Sequence, residues 1–354
     1  MPEKTSLERV VDALSFRESD RVPAGPLVCG ASRRVLGITY AQWAKKPELT
    51  AKSLIQAQKL LGFDGFLLLT DLSVECEAWG QKVDYPMEST PITMAFKGDP
   101  LIKTVEDYEK LEWVDAKKAT RMKNSVQVAS TVAKEKGKEV AIMGFVYGPA
   151  GTLSMMRTLE KMCIDLKRNP SAVKKALKVV NDVLLDYMVQ QIEAGVHAIV
   201  LDVLFASRFI WSRDVYDEFE GQFCVKLSDE CHKRNVPVIL HNCGNATYFD
   251  TMTKWYKPLG ISFHYLPDGV STLEELKEKW GKKVVLLGMM DNPNVLYMGD
   301  EDMVMRESKK QIDALAAGGG FLLCSGCEFP PNASLLNAKA MVDACKMYNP
   351  YKKT

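Results

Sequence analysis

Eight short apolar runs, each followed by a longer amphipathic stretch, set the strongest constraint on what this chain can fold into. The runs cover residues 22–29, 65–70, 140–147, 198–205, 236–242, 260–265, 284–289 and 320–325. Helical patterns over 47–61, 122–136, 170–194, 213–234, 246–255, 272–280, 302–317 and 335–348 separate them. Alternation at this pitch builds parallel β/α units, because a parallel strand pair needs a crossover of a dozen or more residues. Eight units predict an α/β fold, a single (β/α)8 TIM barrel with an N-terminal helical extension. A doubly wound open sheet is the alternative, but no Gly-x-Gly-x-x-Gly turn follows the first run. Gly318-Gly319-Gly320 precedes a strand and reads as a helix end. No Pro/Ser-rich linker or composition break divides the 354 residues, so 1–354 is expected to form one domain.

In a TIM barrel the active site lies at the C-terminal ends of the strands. Polar residues fall there repeatedly. Asp71 ends the second run, Asp202 sits in the fourth, and His241 and Cys243 end the fifth. His264 and Tyr265 end the sixth, Asp291 and Asn292 the seventh, and Cys327 the eighth. Strand side chains alternate, so His241 and Cys243 point to one side. Strands five and eight face each other across the mouth, where one imidazole and two thiolates would converge. That is the soft ligand set zinc prefers, with a fourth position open for chemistry. The plain alternative is ordinary buried cysteines, since free Cys packs as a small hydrophobe. Cys324 lies inside its apolar run and reads as core.

Asp71, Glu75, Glu77, Asp202 and Asn292 are candidate polar helpers, able to orient a ligand histidine or move a proton. Asp202 stands out, because an unpaired carboxylate inside an apolar strand is costly. Tyr147, Phe205, Tyr265 and Met289 are candidates for an aromatic and Met-rich substrate lining, with ordinary barrel core as the alternative, and Asn292 is a candidate polar substrate contact.

Lys and Arg nearly balance Asp and Glu, for a formal charge of +1. A nucleic-acid footprint would need a concentrated basic face, and none is present. No apolar run is long enough to cross a bilayer, and the first residues lack a signal-peptide pattern. Nine scattered cysteines predict reduced thiols in a cytoplasmic protein.

At several of these residues the chain resembles the uroporphyrinogen decarboxylase superfamily. It is more closely similar to the zinc-dependent, corrinoid-linked methyltransferase branch, which holds methylcobamide:coenzyme M methyltransferases and O-demethylase methyltransferases. The resemblance rests on Asp20-Arg21-Val22-Pro23, the 72–80 segment, Gly144-Phe145, Gly148-Pro149 and Thr152. It also rests on His241-x-Cys243 followed distantly by Ser325-Gly326-Cys327-Glu328 and Pro330-Pro331. The resemblance implies that His241, Cys243 and Cys327 hold Zn²⁺, and that a methyl group moves to or from the cobalt of a corrinoid (cobalamin). No corrinoid-binding signature is present, so the cofactor is expected on a separate corrinoid protein that docks at the barrel mouth.

The aromatic lining favours O-demethylation of a methoxylated aromatic. Two thiolate ligands favour the alternative, methyl transfer to a thiol acceptor as in coenzyme M-type enzymes. A decarboxylase-like lyase fits less well. Members resembling that branch carry Arg-Gln-Ala-Gly-Arg after the first strand, where this chain has Gly30-Ala31-Ser32-Arg33-Arg34. A non-catalytic scaffold for a corrinoid protein would predict a broken ligand set, and all three ligands are present.

Overall fold

The computed structural model describes residues 3–351. Eight parallel strands form a nearly closed barrel surrounded by helices, as the alternation predicts. They are β1 (Ala24–Gly25), β2 (Gly65–Leu67), β3 (Ala141–Tyr147), β4 (Ala198–Asp202), β5 (Val238–Asn242), β6 (Gly260–Phe263), β7 (Val285–Met290) and β8 (Phe321–Ser325). Hydrogen-bonded neighbours follow the order β1-β8-β7-β6-β5-β4-β3-β2. Nearly every strand residue is buried, because helices cover the outer face and side chains fill the inner one.

Each predicted strand is present, but several are shorter than their apolar runs. β1 keeps only two residues of 22–29, since Pro23 and Pro26 flank it and neither can donate to a ladder. The 213–234 helix is continuous but not uniform. A π segment, Asp217–Gly221, interrupts it between Arg213–Tyr216 and Gln222–Lys233. The excursion between β2 and β3 adds a two-stranded antiparallel sheet, Val83–Asp84 with Ile92–Thr93. No alternating pattern of useful length announces strands this short.

The barrel closes at the β1–β2 seam through one residue. No ladder joins these strands, yet Asp64 N–H donates to Ala24 O at 2.8 Å and Ala24 N–H donates to the Asp64 carboxylate at 2.8 Å. Arg21 forks onto both Asp64 oxygens at 2.7 and 2.9 Å, and Ser6 donates to Oδ1 at 2.7 Å. Asp64 is fully buried, so these bonds face little competition from water.

The N-terminal helix Ser6–Leu14 plugs the barrel floor. Thr5 and Glu8 start it with a capping box. Its Val10 and Leu14 face Met143, Ile239 and Leu322 across a small apolar void of about 90 Å³. His197, at the foot of β4, accepts the Ile142 N–H at 3.1 Å and is structural.

Removing Asp64 strands the Arg21 guanidinium in the wall. Asp64→Ala is expected to cost about 3–5 kcal/mol of unfolding free energy, read as a lower urea midpoint. An unchanged midpoint would mean that the backbone bond from residue 64 to Ala24 alone holds the seam.

Candidate metal centre

The barrel register builds the site from a lateral row. Tyr147 pairs with Asp202, Asp202 with His241, and His241 with Ser262 across β3 to β6. Paired positions on neighbouring strands share a face, so these side chains stand side by side at the strand exits. Beyond β5, the Asn242 side chain donates to Val203 O and accepts the Gly244 N–H, both at 2.8 Å. That turn sets Cys243 one step above His241.

Cys327 arrives from the loop after β8. Gly326 N–H donates to Met290 O at 2.8 Å, Cys327 N–H donates to Asn292 Oδ1 at 3.3 Å, and Asn292 Nδ2 donates to Glu328 O at 2.6 Å. The result brings together one ligand atom each from His241, Cys243 and Cys327, all within 4.8 Å of one another. His241 Nδ1 lies 3.0 Å from Ser262 Oγ, so Nε2 is the ring nitrogen left for a metal. A ligand imidazole is commonly tied down through its other nitrogen, and Ser262 does this here. The donor set and spacing fit a tetrahedral N/S site with one open position. Cys324 is buried with its sulfur against Gly25, away from the group.

The other candidates are distributed around the mouth. Asp202 Oδ1 is buried without a partner, and burial pushes the carboxyl up to about 6, although the nearby His241 opposes this. Glu75 accepts the Tyr147 N–H at 3.1 Å through Oε1, while Oε2 has no partner; burial pushes this carboxyl up to about 8. Asp71 is committed to Arg121 and to the Ser73 N–H. The Asn292 amide is spent on the 327–328 backbone, which makes it a positioning group for Cys327. Tyr147 is buried with its ring against Gly151, where any Cβ would collide with it. Phe205 stacks on Trp211 with centroids 4.3 Å apart. Tyr265 and Met289 line a separate cavity beside the centre.

Two groups escaped the sequence analysis. Ser262 is a polar residue inside an apolar run, the same signal that marked Asp202. Glu220 is fully buried, accepts the Ala150 N–H at 3.1 Å, and leaves Oε1 unpartnered against Gly148. Burial pushes its carboxyl well above the ordinary range, and the Asp202 charge adds to this. Among its acidic neighbours Glu220 reads as a solvated helix face. The π segment changes the phase of the helix and turns it inward.

Fold and site together define a (β/α)8 protein whose C-terminal face carries a His/Cys/Cys group able to hold a metal ion. The chain belongs to the uroporphyrinogen decarboxylase (URO-D) family, whose model matches residues 5–348. Uroporphyrinogen decarboxylase of Helicobacter pylori (strain P12) is 24% identical over 319 residues, 88% of each chain. That of Aliarcobacter butzleri (strain RM4018) is 26% identical over 311 residues, 85% of this chain and 84% of the relative. A solved methyltransferase from Methanosarcina mazei has the same fold, with a TM-score of 0.83 at 23% identity, covering 98% of this chain and 99% of that one. No helix among the described residues is long and apolar enough to cross a membrane.

Glu75 gives a pH signature. Its folded value lies above the ordinary 4.5, so its contribution is full below about pH 4.5 and is lost as pH rises to about 8. Across that window the wild type should lose stability relative to Glu75→Gln by about 1.4 kcal/mol per pH unit, measured by urea unfolding. A pH-independent difference would mean that Glu75 is already ionised in the folded protein.

Proposed function

We propose that this chain is a zinc-dependent methyltransferase of the URO-D family. It moves a methyl group from a small methylated substrate, a methoxylated aromatic, to the cobalt of a corrinoid carried by a separate protein. The observation that carries this reading is the convergence of a His241 ring nitrogen with the Cys243 and Cys327 sulfurs, with His241 Nδ1 also 3.0 Å from Ser262 Oγ. Zinc bound there would supply Lewis acidity to the ether oxygen, making it a better leaving group.

The chain's own groups fit the rest of the task. As the methyl group departs, the ether oxygen needs a proton. Asp202 stands in the row beside His241 with a free, buried oxygen and an acid strength near neutrality. It is the group to deliver that proton. Phe205 and Trp211 form a flat apolar wall on the loop just beyond Asp202.

The arginines near the mouth speak against a tetrapyrrole carrying several carboxylates. Arg33 bonds Gly30 O, Pro331 O, Glu88 and Asn332, Arg34 bonds Ala333 O, and Arg121 is paired with Asp71. Each guanidinium is committed to a protein group. Glu75, Asp202 and Glu220 meanwhile place buried acids, not cations, on the β2–β4 side.

Two experiments test the reading. Purified protein should hold one equivalent of zinc. His241→Ala, Cys243→Ala and Cys327→Ala should each deplete it, and Cys324→Ser should not. Methyl transfer from an aryl methyl ether to cob(I)alamin should fall at least ~10²-fold in the ligand variants. Activity that survives complete chelation would refute the metal role. Asp202→Asn should lose roughly 10²–10⁴ in rate with its zinc intact; full activity would remove Asp202 from the reaction. Preference for a thiol acceptor over ethers in the same assay would favour the coenzyme M-type alternative.

A further inference from the structure

Beside the metal centre lies a cavity of about 430 Å³, bounded by the exits of β6 and β7 and by the helices Leu273–Trp280 and Glu301–Leu315. None of the three candidate ligands lines it. The volume is in the range that holds a small molecule.

His264 forms part of its wall. The residue is 8% exposed, and its Nε2 has no hydrogen-bond partner. A buried polar atom left unpaired is costly, so the nitrogen calls for a group that the chain does not provide. Nε2 stands 4.0 Å from Asp291 Oδ1. That separation is too long for a direct hydrogen bond. It suits a hydroxyl that bonds to both, since a hydroxyl can accept and donate at once.

The remaining walls specify what carries the hydroxyl. Tyr265 lies flat on the His264 ring, with centroids 4.1 Å apart and planes 19° from parallel, and is 38% exposed. Met289 and Val295 add apolar surface. Flat and apolar surfaces of this kind suit an aromatic ring. The charges at the rim exclude an anion. Glu274, Glu307 and Asp291 outnumber Lys310, which itself lies 3.9 Å from Glu307.

We propose that this cavity is a binding site for a small neutral phenol, whose hydroxyl bridges His264 Nε2 and Asp291 and whose ring packs against Tyr265 and Met289. The site stands apart from the methyl-transfer reading and needs no metal to be occupied. It adjoins the metal centre through His264, whose ring packs so closely on Gly326 that any Cβ there would fall 2.6 Å from it.

Calorimetric titration of the full chain with phenol tests this, using toluene and benzoate as comparators and protein with and without its metal. Phenol should saturate at one equivalent in both forms, and toluene and benzoate should bind at least about tenfold more weakly. His264→Phe keeps a flat ring but removes both nitrogens, and should weaken phenol about tenfold while leaving toluene unchanged. Ser271→Trp, on the exposed rim, fills the cavity from outside and should abolish phenol binding with metal content unaltered. Absence of phenol binding would overturn the proposal. So would benzoate binding as tightly as phenol, unchanged affinity in Ser271→Trp, or loss of binding when the metal is removed.

Discussion

Closure of the barrel at Asp64 is the constraint on which the mouth depends. β1 is two residues long between prolines, and it carries the edge on which β8 is laid. Asp64 ties β1 to the start of β2 and, through its carbonyl, accepts the Ala141 N–H at the foot of β3. Arg21 and Ser6 bind the same carboxylate from the chain segments beside β1. Cys327 follows β8, while His241 lies near the end of β5, on a wall three strands round the ring. A closed ring fixes the distance between those walls; an open sheet could splay. The geometry of the His/Cys/Cys group thus depends on a buried ion pair at the far end of the strands.

The mouth is expensive to fold. Glu75, Asp202 and Glu220 each bury a carboxylate oxygen that has no partner. An uncompensated buried charge is among the most costly features a fold can carry, and the groups respond by holding their protons. Asp71 lies on the same side and takes the other course, pairing with Arg121. The contrast separates a structural acid from acids left free. One is neutralised by a fixed cation, and the others have none.

Much of this was legible in the sequence, for reasons that differ by element. Eight strands showed as apolar runs because a parallel barrel buries both faces of each strand. The relation of His241 to Cys243 followed from alternation, and the choice of Cys327 over Cys324 from its place at the end of a run. The missing parts were those set by contacts distant in sequence or by a break in period. Arg121 meets Asp71 fifty residues away, and nothing in either segment names the other. Glu220 turns inward only because a π segment shifts the helix phase. Asn292 looked like a substrate group because it is polar at a strand exit, yet its amide serves the backbone of another loop.

The third candidate ligand shows how a loop can fix a side chain as firmly as a strand. Cys327 lies beyond the ladder, but Gly326 is bonded to Met290, Asn292 grips the peptides on either side, and Ser325 Oγ donates to Cys327 O at 2.7 Å. Glu328, the next residue, accepts the Gly30 N–H at 3.0 Å and the Tyr40 hydroxyl at 3.1 Å. The loop is therefore pinned to β7 on one side and to the exit of β1 on the other, spanning the strand that produced it. Gly326 has a second role, since only a residue without Cβ lets the His264 ring lie against the loop. The same contact that seats Cys327 places His264 between the metal centre and the neighbouring cavity.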